Sequence, residues 1–215
     1  MDKYFIAGLI SGTSQVISGH PFDTMKVNIQ NNNMKNYVLN IKNLYKGISY
    51  PLVTNSILTS LQFGCYNYFK KRDNTDTISS AATGLVISFV SSPIDRFKIK
   101  KQILSSNIYN KPFKGLYLTI SREIPANVIY FNTYNYMRSN EYNILLSGGT
   151  SGILSWLLTY PIDVIKTRIQ SDNFKDIQSA IKKKNFFHGL CPCLARAMIV
   201  NSIGFYVYEY IIRIN

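Results

Sequence analysis

One pattern, met three times, limits what this chain can fold into. Pro21-Phe-Asp23-Thr-Met-Lys26-Val-Asn28-Ile-Gln30 returns as Pro93-Ile-Asp95-Arg-Phe-Lys98-Ile-Lys100-Lys-Gln102 and again as Pro161-Ile-Asp163-Val-Ile-Lys166-Thr-Arg168-Ile-Gln170. The Pro, acid, base and Gln keep their offsets in every copy. Nine residues before each Pro stands a glycine (Gly12, Gly84, Gly152), and four before that Gly8, Ser80 and Gly148. Downstream come Tyr45-Lys46-Gly47, Phe113-Lys114-Gly115 and Phe187-His188-Gly189, each followed 19 residues later by a tyrosine: Tyr66, Tyr134 and Tyr208. Such internal similarity means copies of one supersecondary unit packed on one another. The expected copies run over about 1–72, 73–140 and 141–215, inside one domain of 215 residues.

Charge placement gives each copy its shape. Residues 4–22, 47–69, 77–94 and 142–162 contain no Asp, Glu, Lys or Arg. Runs 115–137 and 189–208 are broken only by Arg122-Glu123 and Arg196. These six stretches have the length of bilayer-crossing helices, which take roughly 17–25 residues. They are rich in Ser, Thr, Asn and Tyr, and polar groups at membrane depth face a bundle interior or a wet cavity. The Gly-xxx-Gly spacing allows close helix approach. Pro21, Pro93 and Pro161 lie late in the first helix of each copy, where each removes a backbone hydrogen bond and kinks the chain. The sequence thus predicts an all-α membrane protein of six transmembrane helices.

The net charge of +13 invites an anionic partner. Its distribution is lopsided: residues 23–46, 95–114 and 163–188 together carry +11. That bias places these segments on the side of the membrane that retains Lys and Arg, with both termini opposite. Topology accounts for the basic balance, and no nucleic-acid polymer is needed as partner. Cys65, Cys191 and Cys193 have no usual zinc or redox spacing, and His20 and His188 lie far apart, so neither metal nor cofactor is expected. No nucleophile–base–acid set or phosphate loop suggests an enzyme. No cleavable leader opens the chain, so an organellar address is expected to be internal.

The constant 19-residue spacing also aligns the second helices by depth. Thirteen residues before Asn67, Asn135 and Glu209 lie Thr54, Arg122 and Arg196, with Glu123 next to Arg122. An ionised side chain at membrane depth costs about 2.5 kcal/mol or more and marks a functional position. Arginine suits bidentate binding of carboxylate or phosphate. The expected solute is a small anionic or zwitterionic molecule, held by Thr54, Arg122, Glu123 and Arg196, with Asn127, Asn201 and tyrosines available for polar recognition.

The tripled P-x-[DE]-x-x-[KR] motif, with its later aromatic-basic-Gly, resembles that of the mitochondrial carrier family over essentially the whole chain. The resemblance implies pseudo-threefold symmetry, short matrix-side helices within each repeat, alternating access at one central site, and residence in the inner mitochondrial membrane as a monomer, with anionic lipid at the matrix side. It implies a matrix gate pairing Asp23 with Lys98, Asp95 with Lys166 and Asp163 with Lys26, braced by Gln30, Gln102 and Gln170. It implies a second gate at the cytoplasmic side around Asn67, Lys70, Asn135, Arg138 and Glu209. There the family's acids are Asn67 and Asn135 in this chain, so at most one strong pair is expected and this end is expected to stand open at rest. Asn28 replaces a basic residue of the first motif, and the acidic-Gly pair usual before the aromatic-basic-Gly is absent. The Arg122-Glu123 pair resembles carriers of amino-acid-like metabolites; nucleotide exchange and a carrier-shaped protein without transport are the alternatives.

Overall fold

The computed structural model describes residues 2–30, 44–45, 47–72, 75–102, 113, 115–170, 186–187 and 190–214, with the side chains of 2, 24–30, 98–102, 170 and 192 left out of the description. The described residues hold six helices: α1 (Asp2–Gln30), α2 (Ser49–Arg72), α3 (Asp76–Gln102), α4 (Leu116–Ser139), α5 (Ile144–Gln170) and α6 (Leu190–Ile214). The short helices expected within the repeats fall outside the described residues.

Pro21, Pro93 and Pro161 lie inside α1, α3 and α5, and each helix continues past its proline to the motif Gln. The acid–base motifs are therefore helical and not loop segments. The aromatic-basic-Gly motif has a local cause. Gly47 and Gly115 both take left-handed backbone, with φ of 83° and 81°, a conformation open to glycine without steric cost. The carbonyls of Tyr45, Phe113 and Phe187 each accept from the amide three residues on, at 3.3, 3.0 and 3.1 Å, at the point where the following helix begins. One turn thus starts α2, α4 and α6.

Each helix packs on the next in chain order, and α6 packs back on α1, so the six close into a ring. Small residues set the spacing. A Cβ placed on Gly12 would stand 2.8 Å from the Cα of Ser56, and one on Gly84 2.8 Å from the Cα of Ile124. Hydroxyls tie neighbouring backbones together: Ser60 donates to the Phe5 carbonyl at 2.7 Å, Ser155 to Ala126 at 2.9 Å, and Ser11 to Gly204 at 2.7 Å.

The distribution of polarity is inverted relative to a water-soluble bundle. Ser11, Ser79, Ser80, Thr83, Ser88 and Ser151 have no exposed surface. Ile6, Val53, Ile57, Leu85, Phe89 and Leu158 face outward. Large apolar side chains are ordinarily the first to be buried, so this exterior is suited to an apolar surrounding. By length and hydropathy alone, Asp76–Phe97 is the helix among the described residues apolar enough to cross a membrane.

Candidate functional site

At the centre of the ring lies a cavity of about 170 Å³, lined by Gln15, Gln62, Arg122, Glu123, Ala126, Asn127, Tyr130, Gly152, Ser155, Trp156, Thr159 and Asn201. Its lining comes from α1, α2, α4, α5 and α6 and is mostly polar. Gln62 donates to Asn127 at 2.8 Å, and Tyr130 to Asn201 at 3.2 Å, so polar side chains bridge across the cavity between helices. Arg122 and Glu123 both line it. Arg122 donates to Glu123 and lies over the Trp156 ring, 5.4 Å from its centroid. A cation in this position gains from the ring quadrupole.

Thr54 and Arg196 are not part of the lining. Thr54 spends its hydroxyl on the Tyr50 carbonyl of its own helix at 2.9 Å. Arg196 is drawn toward α1, where its Nε lies 2.7 Å from the Asp23 carboxylate. Equal depth along the helices was legible from spacing, but the direction of each side chain was not. Sequence reasoning missed Gln15, Gln62, Trp156 and Thr159. Only the rarity of Gln and Trp inside charge-free runs could have singled them out.

At the motif end, Asp95 accepts from Lys166 at 2.5 Å. Lys166 is 3% exposed, so this pair is held away from water on the lysine side. The other two motif aspartates meet arginines of the predicted binding set: Asp23 meets Arg196, and Asp163 meets Arg122 at 3.3 Å. Both are charge contacts without aligned hydrogen bonds, because the buried Nε of Arg122 and of Arg196 has no hydrogen-bond partner. The side chains of Lys26, Lys98, Gln30, Gln102 and Gln170 lie outside the described residues, as do the pairs expected of them.

The terminus end is closed by aromatic rings. Tyr66 stacks on Phe131 at 3.9 Å between centroids, Tyr134 on Phe205 at 3.6 Å and Tyr208 on Phe63 at 4.0 Å. Phe63 also meets Phe131 and Phe205 edge-on. All three phenylalanines are at most 2% exposed. The same tyrosines carry the polar contacts: Asn135 donates to the Tyr66 hydroxyl at 2.5 Å, Asn67 to that of Tyr208 at 2.7 Å, and Tyr134 donates to Glu209. Glu209 also meets Arg138 at 3.2 Å and Arg213 at 3.1 Å.

Stacked rings supply contact at the level of the absent acids. Glu209 is also not the only acid of this end that meets a cation. Asp76, from the first turn of α3, meets Lys70 at 2.7 Å and accepts from Tyr66 at 2.9 Å. The sequence reading did not single out Asp76.

With this arrangement in view, the likeness to known proteins has a physical meaning. Residues 138–214 match the family model described as mitochondrial carrier protein. The chain is 30% identical to mitochondrial substrate carrier family protein L of Dictyostelium discoideum, over 98% of this chain and 95% of that protein. It is 27% identical to the mitochondrial arginine transporter BAC2 of Arabidopsis thaliana, over 98% and 90% respectively. It is 29% identical to the glutamate/glycine mitochondrial carrier ymc1 of Schizosaccharomyces pombe, over 96% and 92%. A ring of six helices around a polar, charged cavity, with nearly full-length similarity to these proteins, makes this chain a member of the mitochondrial carrier family and a solute transporter of that type.

Proposed function

We propose that the protein moves an amino-acid-like zwitterion across the inner mitochondrial membrane by alternating access at the central cavity. The observation that carries this is the Arg122–Glu123 pair, two opposite charges side by side on the wall of one polar cavity. Arg122 would take the solute carboxylate and Glu123 its ammonium group. Gln15, Gln62, Asn127 and Asn201 would satisfy the remaining polar groups, as buried polar atoms require. At about 170 Å³ the cavity is smaller than the roughly 300–1,000 Å³ of pockets for drug-sized ligands. That favours a small metabolite over a nucleotide. Relatives named for arginine and for glutamate and glycine point the same way.

In this reading the chain is three hairpin repeats, about 1–72, 73–140 and 141–215, related by pseudo-threefold symmetry and tilted across the bilayer. The apolar exterior faces lipid, the termini face the intermembrane space, and the basic motif end faces the matrix and its anionic lipid. Asp23, Lys26, Asp95, Lys98, Asp163 and Lys166 form the matrix gate, with Gln30, Gln102 and Gln170 as braces. Asn67, Lys70, Asn135, Arg138 and Glu209 belong to the opposite gate. A monomer holds the whole solute path.

Purified protein in liposomes preloaded with amino acids, or in a parallel batch with nucleotides, tests the assignment. Counter-exchange is expected with amino acids. Exchange confined to nucleotides, or none with either, would overturn it.

A further inference from the structure

The wall of the central cavity carries one cross-link twice and breaks the pattern at the third place. Thr59, Asn127 and Asn201 stand 12 residues past Gly47, Gly115 and Gly189, and Gln62, Tyr130 and Gly204 stand 15 past them. These are equivalent positions of α2, α4 and α6. Gln62 of α2 donates to the side-chain oxygen of Asn127 on α4 at 2.8 Å, and Tyr130 of α4 donates to that of Asn201 on α6 at 3.2 Å. Each asparagine donates its own amide to the carbonyl four residues back, Glu123 at 2.9 Å and Ala197 at 2.8 Å. Two like links therefore join α2 to α4 and α4 to α6. A third, from α6 to α2, cannot form by the same means, because Gly204 stands in the donor's place and Thr59 in the asparagine's. Gln15 of α1 fills the notch instead. A Cβ on Gly204 would stand 2.0 Å from the Nε2 of Gln15, 2.7 Å from its Cδ and 2.8 Å from its Cγ. The Gln15 side chain is thus laid across the glycine, and it lines the same cavity as Arg122 and Glu123. The other copies carry Ile87 and Ser155 at this offset, six residues before the motif proline, and Ser155 donates to the Ala126 carbonyl.

We propose that Gln15, laid over Gly204, is the side-chain subsite of the central cavity: its amide reads a polar group at the end of the solute's side chain, and the glycine sets how long that side chain can be. This rests on the assignment of an amino-acid-like solute whose carboxylate and ammonium groups go to Arg122 and Glu123. An amide offers both donors and an acceptor. Those of Gln62, Asn127 and Asn201 are spent on the two cross-links, and Gln15 belongs to neither link. A solute side chain ending in a carboxamide finds a partner there. An apolar one of equal length buries the Gln15 amide without an equivalent bond, and a site built to hydrogen-bond a group rejects the analogue that lacks it. Gly204 acts through the same side chain. A methyl group at position 204 meets the far end of a flexible glutamine and not backbone, so Gln15 must swing into the cavity while the helices keep their spacing. In a cavity of about 170 Å³ that displacement is taken from the room left for the solute.

The test compares solutes within one protein, because a ratio of kcat/KM values cancels differences in folding and in the amount inserted. Wild type, Gln15→Leu, Gly204→Ala, Gln15→Ala and the double variant Gln15→Ala, Gly204→Ala are reconstituted in liposomes. Exchange is measured with glutamine and asparagine, and with norleucine and norvaline as their apolar counterparts of matching chain length. Wild type is expected to prefer glutamine to norleucine by about tenfold, the size of one net hydrogen bond. Gln15→Leu is expected to bring that ratio near one. Gly204→Ala is expected to lower glutamine relative to asparagine by about tenfold, the lower range for one methylene, with the polar preference kept. The double variant is expected to match Gln15→Ala, because the added methyl then has no amide to displace; such non-additivity marks residues that act through each other. Gln15→Leu carries the test alone if Gly204→Ala does not fold. Ratios in Gln15→Leu that stay at the wild-type values, in a protein that still exchanges amino acids, would overturn the subsite and leave the amino-acid assignment standing. Exchange of none of the four solutes by any of the proteins, wild type included, would remove both.

Discussion

The two ends of the ring are held together by different physics. At the motif end the described contacts are ion pairs: Asp95 with Lys166, Asp163 with Arg122 and Asp23 with Arg196. At the terminus end each of three tyrosines lays its ring on a phenylalanine of another helix and uses its hydroxyl on an Asn or Glu of that same helix. Ion pairs can be traded for other ions, so the motif end is open to control by a charged solute. Stacked aromatics have no substitute partner in water. They resist opening through contact area and geometry, with aromatic pairs adding about 0.5–1.5 kcal/mol each beyond burial. The terminus end is therefore expected to hold when salt is raised, and the motif end to loosen.

The largest expected effect falls where the charged end meets the cavity. Arg122→Ala leaves Glu123 and Asp163 without their shared cation, and breaking a buried pair from one side costs about 3–5 kcal/mol. Glu123 is only 9% exposed at its side chain, so water cannot easily take the place of the guanidinium. Uptake into liposomes is expected to disappear, with a lower Tm in detergent. Wild-type uptake in this variant would remove Arg122 from the site.

Next comes the centre of the aromatic end. Phe63 touches Phe131, Phe205 and Tyr208, and Phe→Ala at buried positions costs about 3–5 kcal/mol. The relevant readout is coupling. Phe63→Ala is expected to let preloaded solute leak from liposomes without external counter-substrate, where the wild type exchanges. A tight variant would show that stacking does not close this end.

How much of this contrast could be read in the sequence depends on the type of information involved. The helices were legible because charge-free runs and a fixed repeat spacing locate positions along an axis. Arg122 and Glu123 were legible because an ion inside such a run has few explanations. The partners were not, because spacing says nothing about which way a side chain turns around its helix. Asp23 and Asp163 could be assigned to lysines only by resemblance, and their meeting with arginines needed coordinates. Phe63, Phe131 and Phe205 also recur at one spacing, 16 residues past Gly47, Gly115 and Gly189. In an apolar run a phenylalanine facing lipid looks the same as one facing a partner, so the closed end was missed.

A smaller effect tests whether charge matters at the aromatic end at all. Glu209 meets Arg138 and Arg213 while accepting from Tyr134. Glu209→Gln keeps an acceptor for the tyrosine and removes only the charge. Partly exposed pairs contribute about 0–1 kcal/mol each, so at most a few-fold change in exchange rate is expected. The difference from wild type should shrink toward 1 M salt, where the screening length falls to about 3 Å. A loss as large as that of Phe63→Ala would reverse the ranking of stacking over charge.

The smallest effect is the sharpest, because it separates two positions that look equivalent in sequence. Asn67 and Asn135 both stand where the family carries an acid, yet their tyrosine partners differ. The Tyr66 proton goes to Asp76 at 2.9 Å, so Asn135 must donate to the tyrosine oxygen. An aspartate at 135 has no proton to give and would set a second carboxylate beside Asp76, with Lys70 to share between them. At position 67 an aspartate could accept from the Tyr208 hydroxyl, as Glu209 accepts from Tyr134, giving up only the bond from Asn67 to the Phe63 carbonyl. Asn135→Asp is therefore expected to weaken closure by up to about 1 kcal/mol, near fivefold in exchange rate, while Asn67→Asp leaves the rate close to wild type. Removing the crowding acid should abolish the distinction: in an Asp76→Asn background, Asn135→Asp should behave like Asn67→Asp. Equal slowing by both substitutions in the presence of Asp76 would mean that the tyrosine hydroxyls do not decide which polar group this end accepts.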